Sequence, residues 1–249
     1  MKLIGNLDRA TDLALRACLL RLLASALTYP TPEKYRSLQA SLLACKDLSD
    51  RLPKRIAAKL DLFNASLGAD GRTLYELEYL RVFSHVCAAD CNPCETAYTA
   101  KHIFQASQKM ANITGFYQAF GLEAGGERPD HISVELEFLS FLCYRESVEQ
   151  TRSRRFEVHS IRRGQKVFLE RHLGKWVGTF CVLLQHKARS GPMHRLGALL
   201  HEAMRSEAAR HRVALPQSGL HALELDFSDS APSPLLLATG DFSEGVFDG

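Results

Sequence analysis

Almost every periodic segment of this 249-residue chain repeats its apolar residues in steps of three and four, and no run of six alternates cleanly between apolar and polar. That period lays apolar groups on helical stripes and leaves nothing for a half-buried strand. The expected fold is therefore all-α. Helices are expected at about residues 7–28, 31–45, 50–66, 73–86, 96–120, from 130 onward, and at 152–173, 175–187 and 192–212. Pro30 ends the first, because the residue before a proline is pushed out of helical geometry, and Thr31 with Pro32 behind it reads as a cap and first helical position. Gly121 should stop the fifth. Asp130 reads as the N-cap of the sixth, whose inner face would carry Val134, Phe138, Phe141 and Leu142, with Glu135 and Glu146 elsewhere.

The segment 125–129, Gly-Gly-Glu-Arg-Pro, divides this pattern, two glycines giving freedom and a proline an extended approach. It implies a helical bundle of two lobes, 1–122 and 131–212, joined by a hinge at 123–130. Residues 213–249 carry no Lys or Arg but six acidic groups, while the preceding 212 residues hold a net charge of +9. With Pro216, Pro232, Pro234, Gly240 and Gly245, this end reads as an acidic, flexible tail whose Leu235, Leu236 and Leu237 could dock on the body.

Leu19 to Leu23 before Ala24-Ser25-Ala26 imitates an export signal, but Asp8, Asp12, Arg16 and Arg21 interrupt it and place Leu13, Ala17, Leu20, Ala24 and Leu27 on one helical face. The longest later apolar run, residues 177–184, falls short of the roughly 20 residues a spanning helix needs. Seven cysteines, an odd number, fit a reducing compartment. These features imply a cytoplasmic protein without stable membrane insertion. A net charge of only +3 gives no reason to expect nucleic-acid binding.

Two patterns bear on chemistry. Cys87-x3-Cys91-x2-Cys94 has the spacing with which radical enzymes hold an iron–sulfur cluster, but the chain lacks the alternating strands and glycine-rich loops that such chemistry uses. The same thiols with His85 or His102 could instead form a zinc site, which makes a metal-binding helical protein the alternative reading. Cys18, Cys45, Cys143 and Cys181 lie on apolar faces and read as core. The basic run Arg152, Arg154, Arg155, Arg162, Arg163, Lys166, Arg171 and Lys175 reads as a solvated helix face, with Phe156, Phe168 and Trp176 turned to the core. No nucleophile with a base is legible, no phosphate loop appears, and Glu135 and Glu137 are two apart on a helix, so they cannot work as an acid/base pair. No catalytic residues and no cofactor are expected.

Three segments, in order, resemble the TorD/DmsD/NarJ family of molybdoenzyme chaperones: Tyr79-Leu80-Arg81-Val82-Phe83, Asn92-Pro93-Cys94-Glu95-Thr96, and residues 127–138 with Pro129-Asp130-His131 at their heart. Residues 168–173, Phe-Leu-Glu-Arg-His-Leu, with Trp176, resemble the nitrate reductase and type II DMSO reductase branch. Cys94 stands where relatives often carry an aromatic residue. The resemblance implies a non-enzymatic, all-helical chaperone that binds a molybdoenzyme catalytic subunit precursor, through its twin-arginine leader, while cofactor is inserted. It implies a client-binding region of Tyr79, Val82, Phe83, Glu127, Pro129, Asp130, His131 and Glu135. A leader pairs a cationic head with an apolar helix, so it wants carboxylates beside an apolar groove. A monomer with some domain-swapped dimer is the expected state, because a glycine-bearing hinge allows lobes to exchange.

Overall fold

The computed structural model describes residues 2–68, 71–84 and 90–216, with side chains from residue 5 onward. Its helices are α1 (Lys2–Ala26), α2 (Pro32–Asp47), α3 (Lys54–Ser66), α4 (Gly71–Phe83), α5 (Thr96–Thr99), α6 (Ile103–Ala119), α7 (Ile132–Thr151), α8 (Arg155–Arg171), α9 (Val177–Ala188) and α10 (Gly191–His211). The all-α expectation holds: no strand occurs among the described residues. None of these helices is long and apolar enough to cross a membrane.

The helix α1 runs along α7 and also packs on α2 and α10. Leu13, Ala17, Leu20, Ala24 and Leu27 are buried as their spacing requires, but so are Leu15, Leu19, Leu22 and Leu23. A helix enclosed by neighbours on several sides needs apolar groups nearly all round. The loop to α2 is fixed by Thr31, whose hydroxyl accepts from Lys34 N at 3.3 Å, with Pro32 opening the helix. Elsewhere α9 lies on α10, α8 on α7 and α3 on α10.

Three expectations are corrected. The helix expected at 96–120 is broken: Ala100 and His102 are extended, and the His102 ring caps α6 by accepting from Gln105 N at 3.4 Å. Tyr98 explains the break, since its ring stacks on Trp176 at 5.1 Å and its hydroxyl donates to the Asn92 carbonyl at 2.8 Å, holding α5 to the preceding loop. Ile103 and Phe104, which continue the apolar period of 96–120, are consequently exposed. Second, the N-cap of α7 is His131 rather than Asp130, and Glu135 and Glu146 are buried. Third, Phe156 is 83% exposed, whereas Phe168 and Trp176 are buried as expected. The basic side chains of α8 and the turn after it do face solvent.

Two side chains of α4 cap the ends of other helices. Glu78 Oε2 accepts from Met193 N at 3.1 Å, at the start of α10, and Arg81 donates to the Ala188 carbonyl at 2.8 Å, at the end of α9. Gly191 lies between, at φ +78°, and a Cβ there would collide with the Glu78 carboxylate. Glycine alone meets both demands. Downstream of α10, Val213 and Leu215 pack against the core, and the rest of the expected acidic tail, from 217, lies outside the described residues.

Candidate functional site

The second and third motifs are zipped together by backbone. Ile132 N donates to the Pro93 carbonyl at 2.8 Å and Glu95 N to the Asp130 carbonyl at 2.9 Å, a single antiparallel bridge joining Cys94 to His131. The Asp130 side chain then starts α5: its Oδ2 accepts from Thr96 N at 3.1 Å and from the Thr96 hydroxyl at 2.6 Å. Arg128 closes a fork on the same carboxylate at 2.9 and 3.0 Å. Burial opposes ionisation of Asp130, but Arg128 and Thr96 outweigh it and hold the carboxyl below its ordinary range. His131, two residues before Ser133, takes Ser133 N at 3.3 Å and the Ser133 hydroxyl at 2.7 Å on its Nδ1. Burial, ahead of the neighbouring charges, lowers its pKa and favours the neutral ring.

The later Phe168 to Trp176 segment reaches the same place. His172 Nδ1 lies 3.1 Å from Glu95 Oε2, and the Trp176 indole N–H donates to Glu135 Oε2 at 3.4 Å. Both carboxylates are fully buried, and Oε1 of each has no hydrogen-bond partner among the described residues. Burial first, then the charge of Glu95, push the Glu135 carboxyl well above its usual value, so Glu135 keeps its proton. Glu95, His172 and Trp176 were legible as motif members but not as partners. Their contacts span 77 and 41 residues of sequence.

The eight residues expected to bind a client divide into outer and inner groups. Tyr79 and Phe83 are half-buried on α4, their rings 4.8 Å apart, and Phe83 stacks on Phe180 at 6.3 Å. Glu127 is exposed and near enough to Tyr79 to raise its phenol pKa, after the larger effect of burial. Pro129 is half-buried, its carbonyl accepting from the Tyr117 hydroxyl at 2.7 Å. Val82, Asp130, His131 and Glu135 are inside: Val82 packs in the core, and the oxygens of Asp130 are already taken.

The metal alternative is not favoured. Cys87 and His85 lie outside the described residues, and among the described residues no three His, Cys, Asp or Glu side chains are grouped to hold an ion. Burial pushes the Cys91 and Cys94 thiols up to about 12, which keeps them protonated.

A groove of about 380 Å³ opens where 122–125 passes over α7. Leu122, Val134, Phe141 and Tyr144 give it apolar walls, and Glu123 and Glu137 line it too. Glu137 was legible only as a carboxylate unsuited to acid/base work and Glu123 was not singled out, because nothing in local spacing reveals that the linker folds back on α7.

The fold and this junction define a helical protein built around linked motif segments, with no catalytic constellation legible among the described residues. The chain belongs to the family described as nitrate reductase delta subunit, whose family model matches residues 49–182, just over half of the chain. It is similar to a selenate reductase assembly chaperone protein of Thauera selenatis, at 31% identity over 112 residues, 45% of this chain and 56% of that protein. It is also similar to a perchlorate reductase assembly chaperone protein of Dechloromonas aromatica (strain RCB), at 32% identity over 90 residues, 34% of this chain and 39% of that protein. The matches thus span about half the length of these relatives or less.

Proposed function

We propose that this chain is a non-catalytic chaperone for a molybdopterin-containing reductase: it binds the catalytic subunit precursor, holds its twin-arginine leader, and keeps it from export while cofactor is inserted. The observation that carries the reading is membership of the delta subunit family together with two relatives both described as reductase assembly chaperones. The work is done in the cytoplasm, by a monomer that exchanges lobes about 123–130 when it dimerises. The exposed, Gly126-bearing linker, with φ +84° at that residue, supports such movement.

The leader's cationic head needs accessible carboxylate and its apolar helix needs a groove. Glu123 and Glu137 beside Leu122, Val134 and Phe141 supply both, and Glu127 with Tyr79 and Phe83 offers a second accessible edge. Asp130 and His131 serve the site from beneath by fixing 93–96 against α7, and Glu135 by accepting from the Trp176 indole. Affinity capture of the tagged chain from its native host, with mass spectrometry of what is retained, tests the reading. A reductase catalytic subunit still carrying its leader is the expected catch, and capture without any such subunit overturns it. With that leader as a synthetic peptide, Glu123→Gln combined with Glu137→Gln should weaken binding roughly tenfold, the loss of about 1.4 kcal/mol. Equal affinity would remove the groove from the proposal.

A further inference from the structure

We propose that Cys18 and Cys45 form a redox-active thiol pair that low-molecular-weight disulfides convert into an intramolecular disulfide, stapling α1 to α2. The two sulfurs approach to 3.2 Å across the α1–α2 interface, the Cys45 thiol donating to Cys18. A disulfide needs about 2.05 Å, so the sulfurs must close by only about 1 Å. No other pair of cysteines among the described residues makes a sulfur–sulfur hydrogen bond.

The pair is also chemically unequal. Cys18 is partly exposed, and donation from Cys45, opposed by partial burial and helped by Arg21 one turn along α1, brings its thiol down to about 7. Cys45 is fully buried, and its hydrogen bond to Cys18, with burial, raises its thiol. Burial likewise raises the thiols of Cys91, Cys94, Cys143 and Cys181. Cys18 is therefore the entry point and Cys45 the resolving partner.

With oxidised glutathione, Cys18 loses its proton to water and its thiolate attacks one glutathione sulfur. The glutathione disulfide breaks, a Cys18–glutathione bond forms, and one glutathione thiolate leaves. The Cys45 thiol then attacks the Cys18 sulfur, its proton passing to the second glutathione thiolate as that group is expelled. Two protein thiols are oxidised and one glutathione disulfide is reduced to two thiols. The closed loop runs from 18 to 45 and takes in the Thr31 turn. This chemistry is independent of any client.

The test treats the folded full chain with oxidised glutathione, then measures intact mass and a peptide map without reduction. The expected product is lighter by two hydrogen atoms, retains five of the seven thiols, and yields one linked peptide pair, Cys18 to Cys45. Cys45→Ala should stop at a glutathione adduct on Cys18, and Cys18→Ser should give neither adduct nor this bridge. Should Cys45→Ala fail to fold by circular dichroism, acid-quenched time points of the unaltered chain replace it, with the Cys18 adduct expected to precede the bridge. Seven free thiols, a stable adduct in the unaltered chain, or a bridge through Cys87, Cys91 or Cys94 would each overturn the proposal.

Discussion

Burial decides the protonation of Glu135, and the sign of its effect on stability follows. Its folded pKa lies well above the unfolded value, so the folded state binds the proton more tightly, and its contribution is lost as pH rises above the unfolded pKa of about 4.3. Glu135→Gln keeps the volume and an acceptor for Trp176 while removing a carboxyl whose ionisation is suppressed. The melting temperature of that variant should exceed that of the parent at pH 7 and fall below or meet it near pH 4. A parent more stable than the variant at both would contradict the assignment. His131 and Asp130 act in the opposite sense, since both have lowered pKa values. The His131 contribution is present above the unfolded value of about 6.5 and is lost as pH falls through the folded pKa; that of Asp130 goes at still lower pH. Asp130→Ala leaves Thr96 N and Arg128 without their acceptor, an expected loss of about 1–3 kcal/mol in urea unfolding. Combined with His131→Ala, it should also weaken leader binding while far-ultraviolet circular dichroism stays close to the parent's.

Helix ends in this molecule are fixed partly by neighbours in sequence and partly by neighbours in space. Thr31 and Pro32 start α2 by themselves, so the start of that helix was legible. The start of α10 was legible to within one residue, at 192 against Gly191, but its cap was not, because that cap is Glu78 on α4, 115 residues away. Glu78→Ala should cost about 0.5–2 kcal/mol, the range of a helix N-cap. Denaturant titration checks this, and a neutral result would mean that Met193 N is satisfied some other way. Gly191→Ala should be at least as harmful, combining positive φ with a collision at Glu78. The break between α5 and α6 belongs to the same class. The apolar period runs on through Ile103 and Phe104, and only the attachment of Tyr98 to Trp176 and Asn92 turns the chain aside.

Across the molecule, helices on either side of 123–130 meet at a buried ionic cluster. Arg16 of α1 makes a two-point bond to Glu207 of α10, with Nε at 2.9 Å from Oε1, and donates to Gln165 of α8 at 3.3 Å. Gln165 reaches Glu146 of α7 at 2.7 Å, and Arg162 closes on Glu146 at 2.6 Å. Arg16→Met leaves Glu207 charged and buried, so a loss of about 3–5 kcal/mol is expected in equilibrium unfolding. Arg16→Met together with Glu207→Leu should recover much of it, and failure to recover would show that shape rather than charge is decisive. The helical character of the chain, the place of most helices and, through motif order, the family were legible from the amino acids alone. Period and composition are local properties and survive without tertiary context. Tertiary structure alone decided which polar groups are buried. Arg16 reads only as a charge interrupting an export-like apolar run, and Glu135 as lying off the inner face of its helix. Both lie inside because a partner distant in sequence, Glu207 or Trp176, compensates the burial at that point. The same cause separates the exposed members of the proposed client-binding set from those beneath them. Asp130 and Glu127 are both acidic members of the expected client-binding set, and only the fold puts Thr96 and Arg128 on one while leaving the other in water.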